Sequence, residues 1–221
     1  MLKKLILLIS LIIVISSNEL RGQTPGDILK EYIEAFKKKN YQTISLYDAR
    51  YQIDIYNLKR KGLPDPIFDK KKAEMEKRFF NKLDKTYKYA EFLILSEVPE
   101  KELRKSMPDK LGPILARDFL PHAYLVVPNS SYKISKVTKK LSTLGNYEYY
   151  KVYVEMEYPD KKQAPFIPQK VGLRGHGRKV KSIFIEFDVQ NKIGDGWGGV
   201  ISLDRMIIEC IGILDEGTTT Y

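Results

Sequence analysis

Tyr147 to Tyr158 reads YEYYKVYVEMEY, and its alternation decides the fold class. Tyr150, Val152, Val154, Met156 and Tyr158 fall on one side. Tyr149, Lys151, Tyr153, Glu155 and Glu157 fall on the other. Strict alternation is the pattern of an antiparallel strand with one face buried and one face wet. Downstream, VKSIFIEFDV places Ile183, Ile185, Phe187 and Val189 on a single face, NKIGDGWGG reads as a glycine-rich turn, and VISLDRMIIECIGI predicts a long last strand. Upstream, YKISKVTKK predicts another strand, and AYLVV, after Pro121, a further one that breaks at Pro128 and Asn129. His122 then stands at a strand entrance, in a structural role.

Before Pro121 the period changes. In TPGDILKEYIEAFKKKN, Thr24 is placed to cap a helix, Pro25 to open it and Asp27 to sit in its first turn. Ile28, Tyr32 and Phe36 recur every four residues with Leu29 and Ile33 beside them, the stripe of an amphipathic helix. Lys37, Lys38 and Lys39 suit its C-terminus and Asn40 its end. A second short helix is expected around Ile44, Leu46 and Tyr47. KGLPDPIFD, with Pro64 and Pro66, reads as a linker or turn. Met75, Phe79, Leu83 and Tyr87 mark another surface helix from Asp69 to about Tyr89, with Lys70, Lys71 and Lys72 on its wet side. SEVPEKELRKSMPDKLGP is charged and proline-broken, and a short helix is expected around Gly112 to Phe119. Helices first and strands afterwards predict one α+β domain over residues 23–221.

Export is expected from the first 22 residues. Lys3 and Lys4 precede an apolar run from Leu5 to Ile15, broken only by Ser10, and the small residues Ser16 and Ser17 follow. This is the layout of a secretory signal peptide, and the run falls short of the roughly 20 residues a spanning helix needs. The chain is therefore expected to be periplasmic or secreted, without a stable membrane span. Cleavage after Gly22 would lower the net charge from +10 to +8, a surface that favours anionic partners. The one cysteine, Cys210, allows no internal disulfide and sits in the apolar run MIIECIGIL, where a small buried hydrophobe is the simplest reading.

TPGDILKEYIEAFKKKNYQTISLY, residues 24–47, resembles the opening of the cone-shaped superfamily of nuclear transport factor and ketosteroid isomerase. Ala35, Phe36, Asn40 and Tyr41 carry the likeness, and the strands after residue 122 suit it by pattern. The resemblance implies N-terminal helices packed on a curved antiparallel sheet, a cystatin-like cone, with residues 50–120 as an insertion. It also implies a conical pocket, for which Tyr47, Asp48, Tyr51 and Asp54 are the candidate lining. Tyr56 lies close by, and Asp204 and Glu209 interrupt the last strand. No family catalytic motif transfers onto this chain residue by residue.

VGLRGHGRKVK, Val171 to Lys181, is neither a dinucleotide loop nor a Walker loop. Its glycines run G-x-x-G-x-G, a strand follows where a helix is needed, and Gly-Lys-Ser/Thr is missing. It predicts a basic connection in which Arg174, His176, Arg178 and Lys179 could hold an anion. His122 and His176 lie too far apart in sequence to suggest a metal site, and no cofactor is implied. Tyrosines beside lysines at Tyr147, Tyr149, Lys151 and Tyr153 could stack bases, but export argues against nucleic acid. The expected function is noncatalytic binding, of a small apolar ligand in the cone or a protein partner on the sheet face. The alternatives are a pocket isomerase or hydrolase with a carboxylate base, and a basic module docking on anionic envelope material.

Overall fold

The computed structural model describes residues 23–94, 120–143, 147–167, 178–194 and 199–220. The N-terminal apolar segment and the helix expected near Gly112 lie outside these. The chain is α+β, with N-terminal helices and a curved antiparallel sheet. The helices are α1 (Pro25–Lys37), α2 (Tyr41–Tyr47), α3 (Ala49–Lys59), α4 (Asp65–Ile94) and α5 (Leu120–Leu125). The strands are β1 (Ser131–Leu141), β2 (Glu148–Glu157), β3 (Phe166–Ile167), β4 (Arg178–Gly194) and β5 (Val200–Thr220). β1 pairs β2, β2 pairs β4, and β4 also pairs β3 and β5, all antiparallel. No helix among the described residues is long and apolar enough to cross a membrane.

α1 starts where its sequence demands. The Thr24 hydroxyl accepts from the Asp27 amide at 3.2 Å, and the Asp27 carboxylate accepts from the Thr24 amide at 3.2 Å, a reciprocal cap that satisfies two otherwise orphaned donors. Ile28, Leu29, Tyr32, Ile33, Ala35 and Phe36 are buried, so the sequence stripe is the packed face. Each large apolar side chain removed from water contributes about 1.5–3 kcal/mol, which is what holds α1 on the sheet. Lys39 then takes a left-handed backbone (φ 53°), and Asn40 caps α2 through the Thr43 amide.

The inner sheet face is the one the alternation marks. Val152, Val154 and Met156 on β2, Tyr158 just after it, and Ile183, Ile185, Phe187 and Val189 on β4 are all buried. Tyr158 donates to the Tyr124 carbonyl at 3.0 Å, and Tyr132 to Glu34 at 3.0 Å, tying sheet to helices on that face.

Three expectations are corrected. AYLVV does not open as a strand, because Leu120–Leu125 is a helical turn with Ala123, Tyr124 and Leu125 fully buried. Pro121 fits the first turn, where its missing N–H is not needed, and a short apolar run carries no period to separate strand from buried helix. KGLPDPIFD is a turn only as far as Pro64. α4 begins at Asp65 with Pro66 in its first turn and runs on to Ile94, past the expected end at Tyr89. Between α2 and α4, α3 (Ala49–Lys59) is a helix where the sequence reading expects none.

Candidate functional site

Asp48 stands between α2 and α3 and closes both. Its amide donates to the Ile44 carbonyl at 2.9 Å, and its Oδ1 accepts from the amides of Arg50 and Tyr51 at 3.1 Å each. An N-cap carboxylate is ordinarily wet, but this one is only 4% exposed, because its backbone also bridges Ile208 on β5. Its second oxygen, Oδ2, faces the core. There the Tyr32 hydroxyl, from the buried stripe of α1, lies at 3.2 Å. The same hydroxyl lies 3.2 Å from His122 Nε2 on α5. Tyr32 is 0% and His122 2% exposed, so three polar groups, from α1, α5 and the α2–α3 junction, form one enclosed chain.

Aromatic rings surround it. Phe36 stacks on the His122 imidazole with centroids 5.0 Å apart and meets Tyr32 edge-on at 5.0 Å. Tyr87 reaches in from α4 and donates to the Phe36 carbonyl at 2.6 Å. Cys210, on β5 opposite Phe187, and Arg50 are the other ionisable groups whose charges act on the chain.

Burial sets the protonation. It raises the Asp48 carboxyl, against the pull of the Tyr51 amide, of Arg50 and of Tyr32. It drives the His122 imidazole down to about 3, with Arg50 adding to the fall. Tyr32 is pushed well up, by burial first and then by the Asp48 charge. His122 is therefore a neutral imidazole across the physiological range.

One proton on the Tyr32 oxygen must serve two neighbours, which leaves two arrangements. In one, Tyr32 donates to ionised Asp48, and His122 Nε2–H donates to Tyr32. In the other, Asp48 is protonated and donates to Tyr32, Tyr32 donates to Nε2, and the imidazole proton sits on Nδ1. The second differs from the first by one added proton. A proton taken up at Nδ1 thus ends on Asp48 without either group crossing the core. Chemically the chain is a relay, with His122 Nδ1 switching between acceptor and donor.

The other candidates are dispersed. Tyr47 lies half-buried and donates to Glu31 at 2.8 Å. Tyr51 packs on Phe79, ring centroids 4.9 Å apart, away from the Asp48 oxygens except through its backbone. Asp54 is exposed on α3. Arg174 and His176 lie outside the described residues. Arg178 pairs through its backbone with Ile167, and Lys179 is spent on the carbonyls of Lys161 and Lys162, both at 2.8 Å, with its ammonium 5.7 Å from the Phe166 ring centre. Among the described residues no three of His, Cys, Asp and Glu converge as metal ligands.

Sequence reasoning named Asp48 but passed over Tyr32 and His122. A signal was present. Tyr32 is the one hydroxyl in a stripe of otherwise apolar residues, and a buried tyrosine needs a partner for that hydroxyl. No protein-family model, curated protein or solved structure matches this chain.

Proposed function

We propose that this chain is an exported, noncatalytic pocket protein of the nuclear-transport-factor-like cone type, seating a small, largely apolar ligand against the Asp48–Tyr32–His122 chain. One observation carries the reading: a single polar chain, hydrogen-bonded from Asp48 through Tyr32 to His122 Nε2, inside a core of phenylalanine and tyrosine rings. Apolar sites that recognise small molecules pair such walls with a few placed polar groups. The two proton arrangements would let His122 meet either a hydroxyl or a carbonyl. Export rests on the N-terminal segment, and the cone on the likeness of residues 24–47.

Asp48 itself favours binding over catalysis. Both its oxygens are committed, one to the α3 amides and one to Tyr32, whereas a general base must reach its substrate's proton. The raised carboxyl favours a second reading, a small acid–base enzyme that works through the relay.

Native mass spectrometry on protein taken from its own host tests the first reading. An added mass that survives gentle ionisation, leaves on unfolding and is missing from Tyr32→Phe is the expected result. A bare mass for wild type would overturn it. Turnover of the released compound by wild type but not by Asp48→Asn would replace it with the second reading.

A further inference from the structure

The α3–α4 hairpin ends in a tip that the Asp48–Tyr32–His122 chain does not use. Leu58 on α3 and Phe79 on α4 are buried, but no residue from Lys59 to Arg78 is. Residues 65–78 of α4 thus run through wet surface for roughly 21 Å, at about 1.5 Å per residue. The turn itself is short and held. Gly62 takes a left-handed backbone (φ 57°) after the end of α3, and the Ile67 and Phe68 amides both donate to the Pro64 carbonyl at 2.9 Å. That first turn of α4 presents Ile67, which is 47% exposed, close to Leu63 and Pro66.

Cations flank this apolar end. Lys59, Arg60 and Lys61 come before the turn and Lys70, Lys71 and Lys72 after it, all exposed, against only Asp65 and Asp69. Side chains lean toward the start of their helix, so the α4 lysines lean toward the tip. The end of α3 carries only about half a negative charge, less than three cations would answer. Among the described residues none of these lysines forms an ion pair, and Arg60 lies 6.0 Å from the Tyr56 ring centre.

We infer that this tip docks on a bilayer surface containing anionic phospholipid. Ile67 and Leu63 enter the boundary between headgroups and acyl chains, and the lysines and Arg60 meet the phosphates. The combination selects the partner. A lipid interface takes up apolar side chains and cations together, because basic side chains bury their stems and keep their charge outward. A soluble polyanion would meet the cations and leave Ile67 in water. Each cation near an anionic bilayer strengthens binding roughly fivefold, an effect that salt screens. The docking is peripheral, needs no spanning helix and does not rest on the pocket reading.

Flotation of the host-produced protein with vesicles tests this. The vesicles are phosphatidylcholine alone, or with about one-third phosphatidylglycerol, at about 0.05 M and about 0.5 M salt. Binding only to the phosphatidylglycerol vesicles, weakened about tenfold or more by the higher salt, is expected. Lys59→Glu with Lys61→Glu should abolish it, and Ile67→Ser should weaken it about tenfold at either salt. Lys136→Glu with Lys140→Glu, the same charge change placed on β1, should leave it nearly intact. Every substituted position is exposed, so circular dichroism should show each variant folded. Equal flotation on both vesicles would trace binding to the N-terminal apolar segment and overturn the inference. So would no flotation on either, or equal loss in the two charge-reversed pairs. Binding indifferent to Ile67→Ser would mark a site for soluble polyanions and overturn lipid docking.

Discussion

Two polar clusters sit back to back on the same stretch of β4 and β5. Inside, Asp48 bridges Ile208, which pairs with Val189. Outside, Asp188, the residue before Val189, pairs with Glu209. The inner cluster keeps a carboxyl in the core with neutral hydrogen-bond donors, two amides and a phenol. The outer cluster keeps the buried Glu186 and the half-buried Asp188 with a counter-ion, Lys151. Burial penalises charge at both places, and the two solutions differ in what they make sensitive. A hydrogen-bonded chain responds to the loss of a donor. An ion-paired cluster responds to pH and to the balance of like charges.

The largest expected effect lies inside and comes from His122. Its folded-state value, about 3, lies below the ordinary 6.5 of an unfolded histidine. The stability this represents is complete above 6.5 and is lost as pH falls through about 3. Fully realised, it amounts to ~5 kcal/mol. Asp48 acts in the opposite sense, since a raised carboxyl favours the fold as pH drops, so the net acid loss is smaller. Urea unfolding between pH 7 and pH 3 should show a falling stability for wild type and a flatter curve for His122→Gln.

Next comes the phenol. Tyr32→Phe leaves the Asp48 Oδ2 and His122 Nε2 without their shared partner, and should cost about 2 kcal/mol at neutral pH. Asp48→Asn keeps an acceptor for the α3 amides and gains a donor for Tyr32. If hydrogen bonding and not charge is what the core needs, it should cost under ~1 kcal/mol. A cost above that of Tyr32→Phe would break the contrast between the faces.

Outside, the sign reverses. Asp188 is raised to about 6, by burial first, with Glu186 and Glu209 adding and Lys151 opposing. The stability tied to its proton is present at low pH and is lost as pH rises through about 6. Asp188→Asn should therefore gain about 1 kcal/mol at pH 8 and little at pH 3, read from the same unfolding curves. The smallest effect belongs to Lys139 and Glu148, 2.6 Å apart but both more than half exposed. Lys139→Ala should leave the urea midpoint essentially unchanged.

The two faces were legible to different degrees. The alternation in YEYYKVYVEMEY marked both sides of β2, because a strand's period of two assigns every side chain from the backbone alone. The four-residue stripe and the Thr24–Asp27 cap located α1 for the same local reason. Asp48 could be singled out as a carboxylate after a helix, but its burial could not, since that depends on β5, 160 residues later. Tyr32 and His122 meet across 90 residues, and nothing local to either announces the other. His122 was further hidden by the reading of AYLVV as a strand, which would have turned alternate side chains outward. Lys179 illustrates the converse: it stood out in a basic loop and proves to hold the turn at Lys161 and Lys162.

The central claim is that Asp48, Tyr32 and His122 form one enclosed chain around a neutral imidazole. Nitrogen-15 NMR of the His122 ring, followed from pH 8 to pH 4, tests it most directly. The account requires an uncharged ring throughout, with one nitrogen or the other protonated and no conversion to the doubly protonated form in that range. A ring that becomes doubly protonated with a midpoint near 6.5 would place His122 in water and dissolve the chain.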